Sequence, residues 1–187
     1  TNGTISPATT TVNYGSSQRF TVTPSTGYHT DSIVVDNAKV DSLVGYTFSN
    51  VTANHSITAY YSINTYTLTV TQRSNGTISP STTIVNYGSS QRFTVTPSTG
   101  YHTDSIVVDN AKVDSLVGYT FSNVTANHSF TAYYSINTYT LTVTQRTNGT
   151  ISPATTTVNY GSSQRFTVTP STGYHTDSIV VDNAIVD

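Results

Sequence analysis

The sequence predicts an all-β protein, a tandem array of small β-sandwich or barrel-like modules of about 73 residues. Three observations lead there. First, the chain repeats. Residues 1–73 and 74–146 are one unit written twice, differing at Thr1/Ser74, Ala8/Ser81, Thr11/Ile84 and Ile57/Phe130. Residues 147–187 begin a third copy that departs from the first only at Lys39/Ile185. A fixed period of this kind marks an array. Second, β-branched and aromatic residues alternate with Thr and Ser, which is the period of a half-buried strand. Third, turn residues interrupt the pattern every few positions, and no window carries an apolar stripe at helical spacing.

One period read from Thr65 gives the elements in order. Tyr66, Leu68 and Val70 alternate with Thr67, Thr69 and Thr71, predicting a strand. Asn75-Gly76 follows as a two-residue turn, because both positions accept positive φ, and Thr77-Ile78-Ser79 is expected to return from it. Pro80 lacks an N–H and ends that ladder. A short strand precedes the Tyr87-Gly88 turn. In Gln91–Pro97, Phe93 and Val95 share a face. Ser105–Val108 is a short apolar strand, Asp109-Asn110 a tight turn, and Ala111–Val113 pairs back. Tyr119 and Phe121 share a face of the next strand. In the last one, His128–Ile136, the inward residues are Phe130, Ala132, Tyr134 and Ile136.

This frame divides the chain into residues 1–63, a repeat lacking its first strand; 64–136, a complete repeat; and 137–187, a repeat lacking its C-terminal strands. Between repeats stand only Ile63-Asn64-Thr65 and Ile136-Asn137-Thr138. Links this short, without Gly or Pro, favour a semi-rigid rod. Because the sequence opens and closes inside repeats, it reads as a segment of a longer protein. Strand addition between adjacent chains is the alternative reading of the incomplete ends.

Composition narrows the function. Charged residues are only 9%, with net charge −2 and no Glu. There is no basic footprint for nucleic acid or an anionic membrane. No Cys is present, so disulfides, thiol catalysis and cysteine zinc sites are excluded. No apolar run reaches the 18 or so residues that span a bilayer, so no membrane span is expected in this segment.

The runs VNYGSSQRFTVTPSTGYH, DSIVVDN and YTFSNVTANHSITAYY resemble the divergent internalin-type B-repeats, and the resemblance extends over the whole chain. It implies an exported β-rich module of bacterial or archaeal cell surfaces, found in adhesins and surface fibres, and it carries over no catalytic residue. The family's usual Asp-Gly or Asn-Gly at the middle hairpin is Asp36-Asn37 here, which leaves the turn intact.

Several residues invite a chemical reading. Seven Asn-x-Ser/Thr sequons, at Asn2, Asn50, Asn54, Asn75, Asn123, Asn127 and Asn148, are candidate glycosylation sites, although the same residues are good turn formers. Asp31, Asp36 and Asp41 recur in each copy, but a spacing of five sets neighbours on opposite strand faces, which suits solvated carboxylates better than a calcium site. His29 and Asp31 share a face, yet two ligands are too few for zinc. Lys39 and Lys112 lack the buried acid that an isopeptide crosslink needs. No nucleophile elbow, HExxH or P-loop spacing occurs. The expectation is therefore no enzyme, no cofactor and no metal. The chain is read as a structural, extracellular cell-surface protein forming a stalk or filament segment, with neighbouring repeats or copies of itself as partners. The alternative is an adhesin array that binds glycans or another surface through repeated faces, with Tyr60 and Tyr133 as the ligand-facing aromatics.

Overall fold

The computed structural model describes residues 2–186, and among them it contains strands and turns but no helix. The strands are β1 Gly3–Ser6, β2 Gln18–Pro24, β3 Tyr28–Val35, β4 Ala38–Val40, β5 Gly45–Phe48 and β6 Ile57–Ile63 in repeat 1. Repeat 2 holds β7 Thr65–Thr71, β8 Gly76–Ser79, β9 Thr83–Asn86, β10 Gln91–Pro97, β11 Tyr101–Val108, β12 Ala111–Val113, β13 Gly118–Phe121 and β14 His128–Ile136. Repeat 3 holds β15 Thr138–Leu141, β16 Gly149–Ser152, β17 Thr156–Asn159, β18 Thr167–Pro170, β19 Ile179–Val181 and β20 Ala184–Val186.

Repeat 2 is a two-layer sandwich. One sheet runs β13-β10-β8 and the other β12-β11-β14-β7-β9. Its core draws on both layers: Leu68, Ile106, Val108, Phe130 and Ala132 from the larger sheet, and Ile78, Phe93, Val95 and Phe121 from the smaller. Alternation produces this directly, since the inward set of each strand is the apolar set. Phe93 stacks on Phe130 at 5.3 Å and meets Phe121 edge-on at 5.9 Å, so three rings fill the centre of a small module. Two polar residues, Thr103 and Ser105, are buried beside a register shift in β11. No buried side-chain polar atom among the described residues lacks a partner.

The first and last strands of the repeat lie side by side. β7 pairs with β14 in parallel, Leu68 opposite His128 and Val70 opposite Phe130. It pairs on its other edge with β9, antiparallel. This corrects the hairpin expected at Asn75-Gly76. β8 does not return along β7 but crosses to the smaller sheet and pairs with β10. The Gln72 side chain supports the crossing. Its amide donates to Ile78 O at 2.6 Å and accepts from Ile78 N at 2.9 Å, serving Ile78 as a neighbouring strand would. Asn75 still adopts the expected left-handed turn, with φ 72°.

Repeat 1 shows what β7 contributes. Its second sheet is β4-β3-β6, with no parallel partner on β6 among the described residues. Thr10–Asn13, the counterpart of β9, forms no strand. In repeat 3, β15 and β17 pair with each other without a counterpart of β14.

Gly118 closes the smaller sheet. Its φ is 148°, and a Cβ there would lie 2.2 Å from Phe93 O, so no larger residue fits; Gly45 is the same in repeat 1. Leu68 is fully buried, whereas its counterpart Leu141 is only half-buried. Leu68→Ala is therefore expected to cost about 2–5 kcal/mol, and Leu141→Ala clearly less, as read from urea unfolding. Equal losses would contradict the burial described.

Candidate functional site

The feature built most deliberately is the joint between repeats. β6 ends at Ile63 and β7 begins at Thr65, so one residue, Asn64, is the whole connection. Its N–H donates to Gly27 O of repeat 1 at 2.8 Å, and its C=O accepts from Tyr87 N–H of repeat 2, also at 2.8 Å. The linker residue is thus held from both sides. Its side chain is held too, because His29 Nδ1–H donates to Asn64 Oδ1 at 2.8 Å.

A knob and a socket complete the joint. Tyr87, from the Tyr-Gly turn of repeat 2, lays its ring over Gly27. A Cβ on Gly27 would sit 2.3 Å from Tyr87 Cδ1, so only glycine allows the approach. Gly27 also has φ 81°, a left-handed conformation that glycine adopts without strain. The second joint repeats the first. Asn137 N–H donates to Gly100 O and Tyr160 N–H to Asn137 O, both at 2.8 Å. His102 Nδ1 holds Asn137 Oδ1 at 2.8 Å, and a Cβ on Gly100 would lie 2.3 Å from Tyr160 Cδ1. Gly27 and Gly100 are buried beneath their tyrosines, while Gly173 is exposed and Tyr14 is 85% exposed.

Sequence reasoning placed His29 on the surface beside Asp31 and gave it no role. The structure pairs it with Asn64, 35 residues away, and gives His102 the same partner in Asn137. The one trace in the sequence was the recurrence of Ile-Asn-Thr at each boundary.

A second repeated cluster ties the middle hairpin to the last strand. Asp36, in the left-handed turn between β3 and β4, accepts from Ser56 N–H and from His55 Nδ1–H, both at 2.7 Å. The His55 ring stacks on Phe48 at 4.9 Å. Asp109, His128, Ser129 and Phe121 repeat this in the complete module. The Ser56 N–H, aided by His55, holds the Asp36 carboxyl below its usual range against a smaller effect of desolvation. For Asp109 desolvation pushes upward most strongly. The Ser129 N–H, His128 and the Ser129 hydroxyl together outweigh it, and the net direction is again downward.

The other candidates are spread out. Tyr60 and Tyr133 are 53% and 40% exposed on the last strands. They differ in surroundings, because the Arg73 guanidinium lies 5.2 Å from the centre of the Tyr133 ring. All seven sequon asparagines, Asn2, Asn50, Asn54, Asn75, Asn123, Asn127 and Asn148, are exposed. Asn50, Asn75, Asn123 and Asn148 sit at positive φ. Asn127 Oδ1 accepts from Thr67 N–H at 2.8 Å, fastening the start of β7. Among the described residues no three His, Asp or Glu side chains gather as metal ligands do. No helix among them is long and apolar enough to cross a membrane.

The family model for the divergent InlB B-repeat domain matches residues 1–65, 66–138 and 139–186. The chain belongs to this family. The matched segments meet between residues 65 and 66 and between residues 138 and 139, shortly after Asn64 and Asn137. It is a tandem-repeat, all-β protein of a family that is typically surface-associated. No curated protein and no solved structure matches the chain significantly.

The Asp109 cluster makes a pH prediction. Its folded pKa lies below the unfolded value of about 3.9, so its contribution is present above that pH and is lost as pH falls through the folded pKa. Asp109→Asn is expected to lower the melting temperature at pH 7 and to have less effect at pH 2. A loss that is the same at both pH values would show that the carboxylate's charge is irrelevant.

Proposed function

We propose that this chain is a structural segment of a cell-surface stalk or filament, holding whatever it carries at a fixed distance. The observation behind this reading is the joint. A spacer needs length and stiffness, and both linkers are single residues hydrogen-bonded on each side and covered by a tyrosine on a glycine. From the size scaling of compact domains each repeat adds roughly 30 Å. The low charge and the surface rich in Thr and Ser suit an exported fibre, and near-identical copies are what a spacer tolerates. Neighbouring repeats are the partners on this reading, and no chemistry is assigned to the chain.

An adhesin array is the second reading. It is favoured by Tyr60 and Tyr133, exposed aromatics that recur at the repeat spacing and suit a glycan face. Because Arg73 covers the Tyr133 ring, the two faces are not equivalent. Binding to a glycan array that vanishes in Tyr60→Ala would move the assignment to this reading.

The stalk reading is tested by stiffness. The chain has no cysteine, so Thr47→Cys and Thr120→Cys, exposed equivalents one period apart, accept spin labels uniquely. Electron–electron double resonance should give a narrow distance distribution for the otherwise unaltered chain and a broad one after Tyr87→Ala. A distribution equally broad in both proteins would show freely jointed beads and defeat the stalk.

A further inference from the structure

The lysines occupy one special place. β12 is an edge strand of the larger sheet: its inner side pairs with β11, Val107 opposite Lys112, and its outer side has no partner among the described residues. Lys112 is the central residue of this three-residue strand and is exposed. Lys39 holds the same position in β4. These are the only lysines in the chain. In β20 the position is Ile185, 69% exposed and paired with Val180, itself 59% exposed. Across everything repeats 1 and 3 share, this is the one difference.

Free strand edges template pairing with another chain, and an edge lysine is a common means of blocking it. The block acts most strongly against a second copy. Two such edges brought together about a two-fold axis run antiparallel, and centring them puts the middle residue opposite its own counterpart. In repeats 1 and 2 that sets ammonium against ammonium, a destabilising cross-strand pair. In repeat 3 it sets Ile against Ile, a favourable β-branched pair, with Val180 on the same face beside each. An acidic partner would gain from the lysine and lose by its replacement, so the exchange favours self-pairing.

We propose that β20 is a homotypic docking edge, at which a second copy of this chain adds antiparallel through residues 184–186, and that Lys39 and Lys112 keep the equivalent edges closed. Side-by-side pairing of arrays follows. The inference rests on the strand edges and is independent of how stiff the joints are.

Sedimentation equilibrium of three full-length chains tests it: the unaltered protein, Ile185→Lys, and Ile185→Lys combined with Lys112→Ile. Lysine at this position belongs to the same hairpin in repeats 1 and 2, so the first variant keeps a sequence that already folds. The unaltered chain should form a reversible dimer. Ile185→Lys should raise the half-dimerisation concentration about fivefold or more, and the added Lys112→Ile should restore association through repeat 2. An unaltered chain that stays monomeric, an Ile185→Lys chain that associates equally well, or a double variant without recovery would each overturn the proposal.

Discussion

The backbone of Asn64 carries the continuity of the array. Its N–H is bound to one repeat and its C=O to the next, so the backbone is hydrogen-bonded to both modules where it passes between them. A linker of ordinary composition would leave such groups to water and let the modules swivel. Here the Tyr87 ring on Gly27 excludes alternatives by shape, and His29 fixes the remaining side chain. Because Asn64 lies between β6 and β7, the same residue sets where the last strand of one repeat stops and the first strand of the next begins.

That position has consequences inside each module. β7 leaves the joint and lies parallel to β14, the strand that ends its own repeat. The repeat is therefore closed by its two ends, and the chain enters and leaves through neighbouring strands. Leu68 enters the core only through this pairing, and β9 has a partner only because β7 is there. Closure also explains why the larger sheet has five strands in repeat 2 and three in repeat 1. Phe130, where repeat 1 has Ile57, adds a ring against Phe93 in the module whose core is most complete.

Much of the strand pattern was legible in the sequence, because alternation reports which face a residue occupies. Phe93 with Val95 and Phe130 with Ala132 face inward as their spacing predicts. Asp109 and Asn110 take left-handed φ values of 48° and 66°, as their short side chains permit. Partnership was less legible, because alternation says nothing about which strand lies alongside. Asn75-Gly76 reads as a hairpin, yet the strands on either side of it belong to different sheets. β11 begins at Tyr101, earlier than its apolar run, because the inward positions Thr103 and Ser105 are polar and flank a bulge. The joint was least visible. His29, Gly27 and Tyr87 are common turn and surface residues, and only the fold brings them to Asn64.

Hydrogen exchange at the joint measures the central claim most directly, since it reports the linker amides themselves. In the intact chain the amides of Asn64, Tyr87, Asn137 and Tyr160 should exchange far more slowly than those of an unstructured peptide, approaching the protection of the sandwich core at Ile106. Exchange of these four at free-peptide rates, with Ile106 still protected, would show repeats that fold but do not grip one another.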